Sequence, residues 1–149
     1  MENLNEINES QYKVDFLIAD NYIKFTAELL RLSLFVIGGF GAVVMLMIKG
    51  ENKLNVFESP IFVILTLTAF VVCVASSLVH RYCATDTLSW YISWLRAEIR
   101  QDAVKALKEK KGFYKLLKHS KRALITSEFS FGFGVFFFVI AIINVFIEK

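Results

Sequence analysis

The chain has few residues placed to do chemistry. Of its two histidines and two cysteines, only His80 and Cys83, spaced His-x-x-Cys, are close enough to share a metal ion. Zinc takes four ligands, or three and a water, and no neighbouring residue supplies the rest, so chance proximity is the plainer reading. Cys73 and Cys83 lie ten residues apart. On one helix that is about 15 Å, too far for a disulfide, and two free thiols are expected. No Gly-rich phosphate loop, dinucleotide fingerprint, zinc-protease helix or serine elbow occurs. Neither enzymatic activity nor a cofactor or metal is therefore expected.

Two other groups of residues stand out. The first is basic: Arg96, Arg100, Lys108, Lys110, Lys111, Lys115, Lys118, Lys121 and Arg122, with Phe113 and Tyr114 among them. Cations interleaved with aromatic rings would suit a nucleotide or a nucleic acid. The plainer reading is charge that meets anionic lipid, at about 1 kcal/mol per Lys or Arg near the surface. Nucleic acid is not expected as a partner. The second group is small or aromatic. Gly38, Gly39, Gly41 and Ala42 lie close together, and Gly38 with Ala42 forms a small-xxx-small pair that lets helices approach closely in lipid. Phe131, Gly132 and Gly134 lie in a stretch, 129–138, that holds six phenylalanines. Asn144 is the only strongly polar residue of its run. An amide inside a bilayer is a functional hint by default, although near a span's end it can simply meet headgroups.

The elements that must position these residues are apolar runs. Residues 32–48 hold 17 residues without a charge, and residues 61–79 and 129–147 hold 19 each. About 20 apolar helical residues cross a hydrocarbon core about 30 Å thick. The first run reaches that length if Leu29 and Leu30 join it, with Arg31 reaching back toward the headgroups. The chain is 56% hydrophobic and has one proline in 149 residues, with none of the alternating polarity of a β-barrel. An all-α polytopic membrane protein with three spans follows, with room for one modest helical segment outside the bilayer and none for a catalytic domain. The flank before the first run is acidic, unlike a secretory leader.

Charge divides the chain further. Residues 1–31 carry three bases and six acids, 49–59 two of each, and 80–128 eleven bases and five acids. Basic loops stay in the cytoplasm. The bacterial inner membrane is the expected location, with the N-terminus and residues 80–128 cytoplasmic and the C-terminus external. Four parts are expected: an amphipathic N-terminal helix (1–31), a transmembrane hairpin (32–79), a basic cytosolic segment (80–128), and a third span with a short tail (129–149).

Tyr12, Phe16, Leu17, Tyr22, Ile23 and Ala27 recur near the helical period, opposite Asp15, Asp20 and Glu28. This N-terminal helix lies on the leaflet or packs on the basic segment, and its acidic balance favours packing. The first span is expected to stop at Lys49-Gly50, and the second to start at Ser59-Pro60 with a cap and a proline. Hydroxyls at Thr66, Thr68, Ser76 and Ser77 are expected to bond to carbonyls one turn back. Beyond His80, Thr85 or Asp86 predicts a new helix start, and Gly112 its end. Leu88, Ile92, Leu95, Ile99, Ala103 and Ala106 form a stripe between them. A second basic piece over 113–125 then leads to Thr126-Ser127-Glu128, a capped start for the third span.

The layout over residues 9–125 resembles the two-span effector domains of bacterial conflict systems, the SLATT type. An amphipathic helix (12–30), a tight hairpin of spans (32–79, turning at 50–59) and a long helix (88–111) are the counterparts here. The third span is additional to that plan. The resemblance implies a small protein that oligomerises in the bilayer and permeabilises the inner membrane in phage defence. The trigger would be a cytosolic protein or nucleotide signal received on the basic helices. Two other readings fit the same layout: an immunity protein against a pore-forming bacteriocin, and a non-enzymatic accessory subunit of a membrane complex.

Overall fold

In a computed structural model the protein is all-α, and the structure describes residues 9–49 and 60–147, with the side chains of 12–42 and 61–144. Three helices account for it: α1 (Glu9–Lys49), α2 (Pro60–Ile99) and α3 (Ala103–Ile147). All three are long and apolar enough to cross a membrane, which makes this a multi-pass membrane protein. α1 is described to Lys49 and α2 from Pro60. Gly50, Ser59 and the turn between them lie outside the described residues.

The helices are longer than the spans they contain. At 40 residues α2 extends about 60 Å, twice the hydrocarbon thickness. α3 is 45 residues long. Each therefore has a membrane half, covering the charge-free run, and a half beyond it that together form a head over 80–128. Tyr12 meets Tyr91, Thr26 meets His80 and Phe40 meets Phe138, so α1 runs antiparallel to α2 and parallel to α3. The start of α1 and the α2–α3 turn thus share one end of the bundle.

Four expected breaks are absent. Residues 12–30 and the first span form one helix, because Leu29 and Ser33 continue the buried face begun by Thr26. Thr85 and Asp86 start nothing. Thr85 Oγ1 donates to the Arg81 carbonyl at 2.9 Å, and Thr87 Oγ1 to the Cys83 carbonyl at 2.6 Å. These hydroxyls bond within a helix already under way and do not cap a new one. Gly112 lies inside α3, not at an end. A Cβ there would overlap the Trp90 indole, so the glycine lets two helices meet closely. Thr126 and Ser127 likewise donate backward, to Arg122 and Leu124 carbonyls, and α3 passes through them.

The actual break is a three-residue turn at Arg100–Asp102. Gln101 takes a left-handed backbone (φ 56°). Its N–H donates to the Glu98 carbonyl and that of Asp102 to the Ala97 carbonyl, the Schellman pattern that closes a helix. Asp102 also opens the next helix, since its carboxylate accepts from the Lys105 N–H at 3.1 Å. The turn cuts the stripe from Leu88 to Ala106 in two. Leu95 is buried and Ile92 half-buried, while Ile99 and Ala103 flank the turn in the open.

A buried seam runs along α2 with residues three and four apart, and along the later part of α3 with residues three, four and seven apart. On α2 it is Val63, Thr66, Phe70, Cys73, Ser77 and His80. On α3 it is Ser120, Ala123, Ser127, Gly134 and Ala141. This is knobs-into-holes spacing with small and hydroxyl-bearing residues, the composition that draws helices together in lipid. Thr66 and Ser76 donate to the Phe62 and Val72 carbonyls one turn back, as expected, whereas Ser77 sits 4.0 Å from the Cys73 thiol. Both cysteines are free and buried.

Candidate functional site

The nine basic residues are all exposed. Arg96 lies in the last turn of α2, Arg100 opens the turn that follows, and the other seven lie on α3. Lys108, Lys111, Lys115, Lys118 and Arg122 follow one another at intervals of three and four, so they form a single stripe on the side of α3 away from its seam. Lys110 departs from it, with its Nζ over the Trp94 ring, 5.1 Å from the centroid. Among the described residues the ion pairs lie within α1, Lys24 with Asp20 and Arg31 with Glu28. The basic stripe pairs with none of them and meets solvent. α1 docks on the basic hairpin, but through rings rather than charges. Tyr12 and Phe16 meet Tyr91 edge-on at 6.1 and 6.4 Å.

The glycine sites separate into two kinds. Gly134 is buried, and a Cβ there would stand 3.0 Å from the Phe70 ring. Phe131 packs edge-on against the same ring at 5.8 Å. Both belong to the seam inside one chain. Gly38, Gly39, Gly41 and Gly132 have open space where a Cβ would project, and Ala42 is exposed beside them. Those faces are free to meet lipid or another helix. Gly132 lines a shallow groove of about 470 Å³ with Glu128, Phe129, Phe133 and Phe136. Asn144 is half-buried.

Sequence reasoning missed a cavity of about 420 Å³ where the three helices diverge in the head. α1 supplies Asp15, Phe16, Ile18, Ala19 and Tyr22. α2 supplies His80, Ala84, Thr87, Leu88 and Tyr91, and α3 supplies Phe113, Leu117 and Ser120. His80, Thr87 and Ser120 are buried, whereas Asp15, Ile18 and Tyr22 are exposed at its rim. His80 lies just beyond the second charge-free run. Its Nδ1 sits 3.3 Å from Thr26 Oγ1, whose hydroxyl donates to the Tyr22 carbonyl at 3.1 Å. An Nδ1–H tautomer satisfies all three groups. Burial lowers the imidazole's pKa. The Tyr91 phenol is pushed up, first by burial and then by the negative field of Asp15 and by Tyr12. His80 and Cys83 are both buried, yet the described residues hold no cluster of three or more His, Cys, Asp or Glu side chains able to bind a metal. No one stretch of sequence announces this cavity, since its lining comes from three helices.

No protein-family model, curated protein or solved structure matches the chain.

Proposed function

We propose that the protein is an oligomeric effector of the bacterial inner membrane that permeabilises the bilayer in phage defence when a cytosolic protein or nucleotide signal engages its basic helices. In this reading the N-terminus and the head are cytoplasmic and the C-terminus is external. The observation that supports it best is the continuity of α2 and α3 from head to bilayer. A rigid helix carries the stripe from Lys108 to Arg122 and the Phe-rich span alike, so displacing one end displaces the other. The eleven bases of residues 80–128 favour their retention in the cytoplasm. The open faces at Gly38, Gly39, Gly41, Ala42 and Gly132 suit close packing between copies. The phenylalanines near the start of the third span would seal the closed assembly as a hydrophobic gate.

The test replaces Lys108, Lys110, Lys111 and Lys115 together with Glu and follows membrane potential in cells carrying the native genomic neighbours. Triggered depolarisation should be lost, while reporter fusions at Lys111 and Lys149 still place those sites on opposite sides. A correctly inserted variant that depolarises normally sinks this assignment of the trigger surface. A wild-type chain that never changes the potential and protects cells from a neighbouring bacteriocin supports the immunity reading instead.

A further inference from the structure

The cavity in the head has a composition at odds with its surroundings. Residues 80–128 carry eleven bases, yet among the described residues no lysine or arginine lines it. Its one formal charge is the Asp15 carboxylate at the rim. Four of its walls are aromatic: Phe16, Tyr22, Tyr91 and Phe113. Tyr91 joins this group together, edge-on to Phe16 at 6.4 Å and tilted against Phe113 at 5.4 Å. Of the buried polar groups that line it, His80 is paired through Nδ1 with Thr26 and the Thr87 hydroxyl donates to the Cys83 carbonyl.

Ring faces carry negative potential and attract a cation within about 6 Å of their centroids, an attraction that strengthens where water is excluded. A carboxylate at the rim adds to it. The apolar remainder of the wall favours a hydrophobic body, and 420 Å³ lies in the range of small-molecule sites, about 300–1,000 Å³. We infer that this cavity binds an apolar organic cation, a compact hydrophobic molecule bearing one quaternary or protonated centre, lodged against its aromatic wall with its charge toward Asp15. An anion of the same size would meet the Asp15 carboxylate with no cation in the lining to offset it, and the site would reject it. The inference does not rest on membrane permeabilisation and holds equally for an effector, an immunity protein or an accessory subunit.

Tetraphenylphosphonium and tetraphenylborate have nearly the same shape and opposite charge, and they make the test direct. Full-length protein in mild detergent is titrated with each by calorimetry, against detergent alone. Saturable binding of the phosphonium at one per chain is expected, with none of the borate. Asp15→Asn changes an exposed side chain and leaves the fold intact. It should weaken phosphonium binding about tenfold, the equivalent of about 1.4 kcal/mol. Ala84→Phe, which fills the cavity from α2, should abolish it. Asp15→Asn alone decides the matter if Ala84→Phe fails to fold. Equal binding of both ions, unchanged affinity in Asp15→Asn, binding that survives in a folded Ala84→Phe, or no saturable binding at all would each overturn the proposal.

Discussion

The two halves of the α2–α3 hairpin solve the same packing problem with different chemistry. Each inserts one large aromatic side chain of α2 against one glycine of α3: Phe70 on Gly134 in the membrane half, Trp90 on Gly112 in the head. In the membrane half the ring only touches the glycine, and Val63, Thr66, Cys73, Ser77 and Ala141 fill the rest of the seam. In the head the Trp90 indole lies so near the backbone that no side chain fits, and Tyr91, Trp94 and Phe113 pack on one another in the same half. The difference follows from the solvent. Water drives apolar groups together, so the head gathers large rings. Lipid does not, so the membrane half relies on close backbone approach at small residues.

Gly112→Ala should have the largest effect. Ala gains about 0.5–1 kcal/mol over Gly in helix propensity, but overpacking costs about 1–3 kcal/mol, and here the whole indole must move. A net loss of about 2 kcal/mol is expected, read as faster hydrogen exchange over residues 85–95 in detergent. Trp90→Leu should restore most of it. A stable Gly112→Ala would show that the head does not depend on this contact.

Some of this was legible in the sequence. The charge-free runs located three helices long and apolar enough to cross a membrane. Cap residues misled, because a Thr or Ser side chain reads alike at a helix start and in mid-helix, where it bonds to a carbonyl one turn back. Thr85, Thr126 and Ser127 all do the latter. The real turn escaped notice because Gln stands at position 101, where the backbone favours Gly. The basic residues were legible as a cluster but not as one stripe, since their order depends on α3 running unbroken through Gly112. The cavity was invisible, because it depends on how three helices diverge.

Gln101→Gly tests that account of the turn. Removing the left-handed strain on a side chain should stabilise the head by about 0.5–1 kcal/mol, less the entropy that Gly returns to the unfolded chain. Slower exchange over residues 95–106 would report it. A loss of stability would mean that the Gln side chain contributes more than the strain it bears.

Gly134→Ala should have the smallest effect. Its Cβ would stand 3.0 Å from a Phe70 ring that Phe131 holds in place. The overpacking, about 1 kcal/mol here, nearly cancels the helix gain of Ala over Gly. A thermal midpoint in detergent within a few degrees of wild type is expected. A collapse as large as that of Gly112→Ala would erase the contrast between the halves.

The turn at Arg100–Asp102 also sets the order in which the hairpin is made. Across it the separation of partners along the chain grows steadily: Trp94 with Lys110, Trp90 with Gly112, Phe70 with Gly134. Closing each successive pair costs little loop entropy once the previous one is in place, so pairing runs outward from the turn like a zipper. On that account the head closes first, while the third span is still seeking its place, and the last pairs to form lie toward the start of α2 and the end of α3, at the far side of the bilayer. A fault beside the turn stalls everything after it, whereas a fault at Gly134 leaves a finished head and a loose end.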